Sequence, residues 1–525
     1  MKPQDQKRML VEVVERVLHA QAPDPAALEQ LIFDTIFFER QRLEHEKNKE
    51  RAKQDRSFYG KIYHQALTGG PERHRELLGQ IIGHFAKEVL GHFNQTMYQV
   101  ATQMIPVGLN LLLNTLSPLR LIREFPHGIG QLDHQIKIHG ETKALQKLAQ
   151  LGTVILVPTH GSNLDSILIG YSLYRLGLPP FIYGAGLNLY ANKIMGFFMD
   201  RLGAYKVDRR KKAPLYKEVL KVYAGYSMEL GYHNLFFSGG TRSRSGKVES
   251  KLKLGLVGMG LDAYVHNLIN KKNKPDIFVV PATLNYQLVL EAETLIEDYL
   301  KEAGKSRFII EDDEFAEIKR ILAFLSGLFS LDSRIHVVIS HPLDVFGNQV
   351  TEHGISLDHR GREIDRERYV MKDGKPCFDP QRDQEYTREL GHSIAESFVR
   401  DTVLGSVQLV SKVVFDWLQE INEEMDLYRL LRSGGKQESL SLTEAYARIE
   451  KTLGVLKEME VQNKIRLDET LHDSDSVALL SEALAHLKSY HVHPVLERKG
   501  DRLFHKDRNL IYFYSNRVPK LEVSR

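Results

Sequence analysis

The stretch TVILVPTHGSNLDSILIG, residues 153–170, decides the fold. Its first seven residues, TVILVPT, are a continuous apolar run with five β-branched positions, the composition of a strand buried on both faces of a parallel sheet. Polar residues follow from His160 to Asp165, and then an apolar segment resumes as a helix. Strand, short loop and helix make one α/β unit, and the same order recurs on both sides of it. Upstream, HQIKIHG (134–140) alternates as a strand and ETKALQKLAQLG (141–152) reads as a helix closed by Gly152. Downstream, PPFIYGAG, AYKVDRR, HNLFFSGG and DIFVVPATL read as strands. NLYANKIMGFFMDRLG, PLYKEVLKVYAGYSMELG and KLGLVGMGLDAYVHNLI read as the helices between them. Alternating strands and helices predict an α/β domain over residues 126–345, with a largely parallel central sheet flanked by helices.

Outside that domain the period changes. Residues 1–125 read as a helical N-terminal region, in which FFERQRLEHEKNKERAKQDR (37–56) is most simply a solvated face. A polar connector spans 346–383, and a helical C-terminal region spans 384–525, ending in a hairpin that turns at Lys499-Gly500-Asp501. The 525 residues, 42% hydrophobic and 26% charged, have ordinary globular composition, and a net charge of +3 implies no general polyanion binder. A single cysteine, Cys377, excludes an intramolecular disulfide and points to a reducing, cytoplasmic setting. The uncharged run from Phe93 to Leu119 carries Asn, Gln and Thr throughout and Pro106 in its middle, so it makes a poor membrane span. Leu109, Leu112, Leu113 and Leu116 form one apolar helix face, suited to docking on the protein or to lying at a membrane interface.

In an α/β sheet, chemistry gathers in the loops at the strands' carboxyl ends. The first such loop places His160 five residues before Asp165, which opens the next helix. A carboxylate that accepts a hydrogen bond from imidazole fixes one tautomer and leaves the other nitrogen free to take a proton near neutral pH. The pattern alone means little, because with 22 histidines it arises by chance about once. HGISLD, His353 to Asp358, supplies that second match, in the polar connector with no buried strand before it.

Two further loops are cationic: Arg209 and Arg210 close one strand, and SGGTRSRSGK carries Arg242, Arg244 and Lys247 after another. Arginine's planar fork suits a phosphate. The second loop is no nucleotide P-loop, since Val248 follows Gly246-Lys247 and Thr241 stands where the first glycine is needed. FIYGAGLNL likewise fails as a dinucleotide fingerprint, with Leu189 in place of the third glycine. His491 and His493 could share a strand face, yet no third ligand is suggested nearby, so no metal is expected.

Four blocks in order, HGSNLD, GAYKVDRR, GGTRSRSGK and VVPATLNY, resemble those of the glycerolipid acyltransferases, in particular the glycerol-3-phosphate and dihydroxyacetone-phosphate O-acyltransferases. YTRELGHSIAESFVRDTVL and LIYFYSNRVPKL are similar to the longer glycerol-3-phosphate branch, and the resemblance covers roughly residues 100 to 520. It implies acyl transfer from acyl-CoA or acyl-carrier protein, as co-substrate and with no resident cofactor, to the sn-1 hydroxyl of glycerol 3-phosphate. His160 and Asp165 would be the catalytic pair. Ser162, Arg209, Gly240, Thr241, Arg242, Ser243 and Arg244 would contact substrate. A peripheral position on the cytoplasmic face of a membrane follows from the insoluble product. One departure stands out: Gly239 occupies the place of a family glutamate, which leaves 1-acylglycerol 3-phosphate or dihydroxyacetone phosphate as alternative acceptors. A catalytically inactive lipid-binding relative is a reading of another class. A nucleic-acid module is a further one, suggested by VALLSEALAHLKSYH before the hairpin, but it lacks a dense basic face.

Overall fold

The computed structural model describes residues 2–21, 25–46, 48–91, 135–187, 204–303, 334–489, 491 and 493–520. The helix expected at 188–203 and the apolar face from Leu109 to Leu116 lie outside the described residues.

At the centre is a sheet built from β1 (Ile136–Gly140), β2 (Thr153–Pro158), β3 (Ile182–Gly186), β4 (Ala204–Val207), β5 (Asn234–Leu235), β6 (Ile277–Tyr286) and β7 (Ile335–Ile339). β2 runs parallel to both its neighbours, β5 and β6, and β3 runs parallel to β5 and β4. The helices of this layer are α5 (Thr142–Leu151), α6 (Asp165–Arg175), α7 (Pro214–Glu229), α8 (Met259–Ile269) and α9 (Ala292–Ala303), preceded in the chain by α1 (Pro3–Gln21), α2 (Pro25–Glu44), α3 (Lys49–Thr68) and α4 (Pro71–Val89). β7 departs from the parallel plan, pairing antiparallel with the far half of β6 and parallel with β1.

Strand periodicity explains how one sheet serves two cores. On β2, Val154 and Leu156 join a core shared with the C-terminal helices, while Ile155 and Val157 join one shared with α1–α4, α7 and α8. On β6, Phe278, Val280, Ala282 and Leu284 face the first core, and Ile277 and Val279 the second. Alternate side chains point to opposite faces, so an all-apolar strand is what a sheet covered on both sides requires.

Two segments differ from their expected roles. The connector joins the sheet: β8 (Leu343–Asp344), just before it, and β9 (Gln349–Val350), β10 (Ser356–Leu357) and β11 (Glu363–Ile364) within it extend the sheet past β6 as an antiparallel meander. Short strands with few apolar residues leave no period to read; β8 pairs with β6, and each later strand pairs with the one before it. The charged segment 37–56 is a solvated face only in part: Arg40, Glu44, Lys49, Glu50, Lys53 and Arg56 are exposed, but Glu39, Arg42 and Asp55 point inward. Glu39 and Arg42 are buried, Arg42 lies 2.9 Å from Glu39 and 2.7 Å from Asp55, and Lys211 reaches Glu39 at 2.8 Å and Glu88 at 3.0 Å. Charges are tolerated there because each meets an opposite charge across the interface between the N-terminal helices and the loop after β4.

The C-terminal region holds α10 (Pro380–Arg400), α11 (Ser406–Glu420), α12 (Leu427–Ser433), α13 (Leu442–Val461), α14 (Glu469–Asp473) and α15 (Ser476–Ser489). The expected hairpin forms from residues 496–499 and 502–505, joined by a third strand at 439–441. It does not end the region: α16 (Arg508–Ser515) follows, packs on α11 and α9, and brings the chain back to the sheet.

Candidate active site

His160 leaves the carboxyl end of β2 and Asp165 begins α6, an N-terminal position where a carboxylate is favoured. Asp165 is fully buried, and its Oδ2 accepts from His160 Nδ1 at 2.9 Å, from the amide of Gly161 at 2.7 Å and from that of Ser162 at 2.9 Å. Its Oδ1 accepts from the hydroxyl of Tyr286, at the end of β6. Burial and the adjacent Asp165 raise the Tyr286 phenol well above its ordinary range, so it remains a donor. With Nδ1–H committed to Asp165, the imidazole presents Nε2, which has no partner among the described residues. The ring is 15% exposed and stacks on Phe237 at 4.3 Å.

The third-block loop holds this turn by its backbone. The amide of Ser243 donates to His160 O at 2.8 Å, and the amide of His160 donates to Glu249 Oε1 at 2.7 Å. Burial pushes the Glu249 carboxyl up to about 7, against the pull of the backbone amides of His160 and Gly239 and of Arg517. Gly239 is open for a reason: a Cβ there would lie 2.6 Å from Glu249 Oε2. The space that a side chain at 239 would enter is filled by a carboxylate delivered from ten residues further on.

The cations divide. Arg210 folds back on Asp208, with contacts of 2.9 Å to each carboxylate oxygen, and reaches Glu46 at 3.0 Å. Arg209 is exposed, with no carboxylate partner among the described residues; partial desolvation and the nearby Arg242 guanidinium hold it below its ordinary range. Arg242 lies 3.4 Å from Glu291, a fully buried carboxylate that also accepts from Ser162 Oγ at 2.8 Å and from the amide of Asn163 at 3.0 Å. One acid thus braces both the His160 turn and an arginine.

The remaining expected contacts are not equivalent. Ser162 is buried, and its hydroxyl donates to Glu291. Gly240 has φ +74°, which favours glycine, and Thr241 beside it is exposed. Ser243 donates its hydroxyl to Lys247 O at 2.7 Å, and Arg244 is half-buried on the same loop. The second HxxxxD match makes no pair: His353 is 70% exposed beside Glu352, and Asp358 is bound by Arg362 and the Arg360 amide.

A sheet with a histidine–carboxylate pair at a strand end and arginines on the adjoining loops defines a class. Residues 135–285 match the family model described as Acyltransferase. The curated relatives are named glycerol-3-phosphate acyltransferase. That of Aeromonas hydrophila subsp. hydrophila is 32% identical over 251 residues, 46% of this chain and 29% of its own. That of Ectopseudomonas mendocina is 32% identical over 178 residues, 34% of this chain and 20% of its own. That of Pseudomonas fluorescens (strain Pf0-1) is 26% identical over 292 residues, 55% of this chain and 31% of its own. The chain therefore spans at most about a third of the length of these relatives.

Glu249, Glu291 and Arg517 were not identified from sequence as site residues. They carry no local spacing signal: each reaches the site from a loop or helix end that only the packing brings near. Tyr286 was visible in the fourth block, but its bond to Asp165 was not.

Proposed function

We propose that this chain transfers a fatty acyl group from an acyl thioester, acyl-CoA or acyl-carrier protein, to the sn-1 hydroxyl of glycerol 3-phosphate. The observation that carries the reading is the imidazole of His160, held by a fourfold-bonded Asp165 at the end of β2 beside the Arg209 and Arg242 loops. His160 Nε2 removes the acceptor's hydroxyl proton as the oxygen attacks the thioester carbonyl. The tetrahedral intermediate collapses, the C–S bond breaks, and the imidazolium returns its proton to the departing thiolate. Asp165 keeps the tautomer and stabilises the imidazolium, with Tyr286 and two amides holding Asp165 in turn. The thioester is already activated, so no covalent enzyme intermediate is needed. Arg209, Arg242 and Arg244 hold the acceptor's phosphate, which positions the hydroxyl.

Gly239 raised the question whether a carboxylate needed for glycerol 3-phosphate is missing. Glu249 occupies the adjoining space and Glu291 braces Arg242, which supports glycerol 3-phosphate as acceptor despite the glycine. The deciding experiment is turnover of labelled acyl-CoA and acyl-carrier protein by purified protein with glycerol 3-phosphate, dihydroxyacetone phosphate and 1-acylglycerol 3-phosphate. Transfer to glycerol 3-phosphate at the highest kcat/KM is expected. Preference for 1-acylglycerol 3-phosphate would overturn the acceptor, and no transfer to any of them the activity.

Among the described residues no helix is long and apolar enough to cross a membrane. We place the protein peripherally, on the cytoplasmic face. High salt or mild alkali should release it from membranes, and retention through both would refute this.

A further inference from the structure

Arg517 enters the site from a part of the chain that none of the motif loops contains. It follows α16, and two contacts fix that segment on the third-block loop. Asn516 Nδ2 donates to Ser245 O at 2.8 Å, and the backbone of Phe513 packs so closely on Gly246 that a Cβ there would lie 2.0 Å from Phe513 O. Gly246 has φ +78°, so the turn is shaped to receive this helix. The guanidinium then lines a small cavity with Gly161, Ser243, Tyr286, Gln408 and Tyr514, next to the His160 turn.

Its bonding is incomplete for a charged group. One nitrogen, Nη2, donates to Leu284 O at 3.0 Å and to Asn285 Oδ1 at 3.4 Å, both neutral acceptors. Glu249 and Asp165 act on it through space, and among the described residues it makes no ion pair with either. Asp165 already accepts four hydrogen bonds, while Glu249 turns Oε1 to the amide of His160 and leaves Oε2 without a hydrogen bond among the described residues. Desolvation holds Arg517 below its ordinary range, in keeping with a guanidinium short of anionic partners. Arg517 is only partly buried, so an anion entering the cavity it lines can reach and complete the fork.

We propose that Arg517 is a phosphate-binding residue of the substrate site, a second anion point separate from the Arg209 and Arg242 pair. This rests on the acyltransferase reading. A phosphate could come from the acceptor or from the acyl donor, and the two are separable. Calorimetric titration of the full chain and of Arg517→Gln and Arg517→Lys with glycerol 3-phosphate, CoA, 3′-dephospho-CoA and inorganic phosphate tests it, with thermal melting of each protein alone. In a folded Arg517→Gln, affinity for one substrate should fall about 10- to 150-fold, the range of a charge-assisted contact, while the other changes little. Lys should restore only part, since it lacks the fork. Loss for glycerol 3-phosphate identifies the acceptor's phosphate. Loss for CoA that dephospho-CoA does not share identifies the donor's 3′-phosphate, and loss shared by both CoA forms its diphosphate. Unchanged affinity for every ligand would overturn the proposal, as would equal weakening of all of them with a lowered melting temperature. Should Arg517→Gln not fold, Arg517→Lys decides on the same criteria. If wild type shows no turnover yet binds inorganic phosphate through Arg517, the activity fails and this assignment stands.

Discussion

HGSNLD at 160–165 and HGISLD at 353–358 share His, Gly, Leu and Asp at the same spacing, and only the first forms a pair. Behind His160 lies a strand buried on both faces, and α6 begins at Asp165, which turns the carboxylate toward the ring. Behind His353 lies a two-residue strand of the meander, and Asp358 closes a turn with Arg362. The chemistry comes from the frame that holds the letters. Arg209 and Arg210 repeat the lesson at adjacent positions, one facing Arg242 and the other folded into the ionic network of the N-terminal helices.

The largest expected effect separates the two histidines. His160→Ala should lower kcat by about 10²- to 10⁴-fold, the usual loss for a general base, while His353→Ala stays near wild type in the same assay. Equal losses would break the comparison. The cations come next: Lys211→Ala should cost about 1.5–3 kcal/mol of stability, read from chemical denaturation, because it removes one of the two cations paired with the buried Glu39, Arg42 being the other. Arg209→Ala should leave stability near wild type, being exposed and outside that network.

Arg242→Ala sharpens the contrast within the site. Acceptor KM should rise about 10- to 150-fold with little change for the donor, and Arg242→Lys should recover part. A change confined to the donor's KM would reverse the placement of the two substrates. Tyr286→Phe should be milder, about 10-fold in kcat with KM preserved, because it removes one of four donors to Asp165.

The smallest effect is a pH slope. Burial raises the Glu249 carboxyl from 4.5 to about 7, so between those values the folded protein keeps a proton that the unfolded chain has released. Stability therefore falls as pH rises through that window, by up to about 1.4 kcal/mol per pH unit from this group. Glu249→Gln should flatten that component in melting curves taken from pH 4.5 to 7.5. An unaltered slope would mean that Glu249 is ionised throughout.

What the sequence by itself determined is local or periodic. Apolar runs such as TVILVPT admit only a strand covered on both sides, alternation with helices implies a parallel sheet, and the blocks at the strand ends bring His160, Asp165, Arg209 and Arg242 to one edge. Tertiary structure decided whatever depends on which surfaces meet. It made a polar connector into sheet strands, turned Glu39 of the charged 37–56 segment inward against Lys211, and gave Ser162 to Glu291. It also brought Glu249 into the space at Gly239 and Arg517 to the dyad, across 268 residues from Glu249. The physical reason is range: hydrophobic periodicity and turn chemistry act over a few residues and leave their mark in the letters. A charge's environment is set by whatever elements pack against it, and a glutamate or arginine reads the same in sequence whether water or a buried counter-ion awaits it.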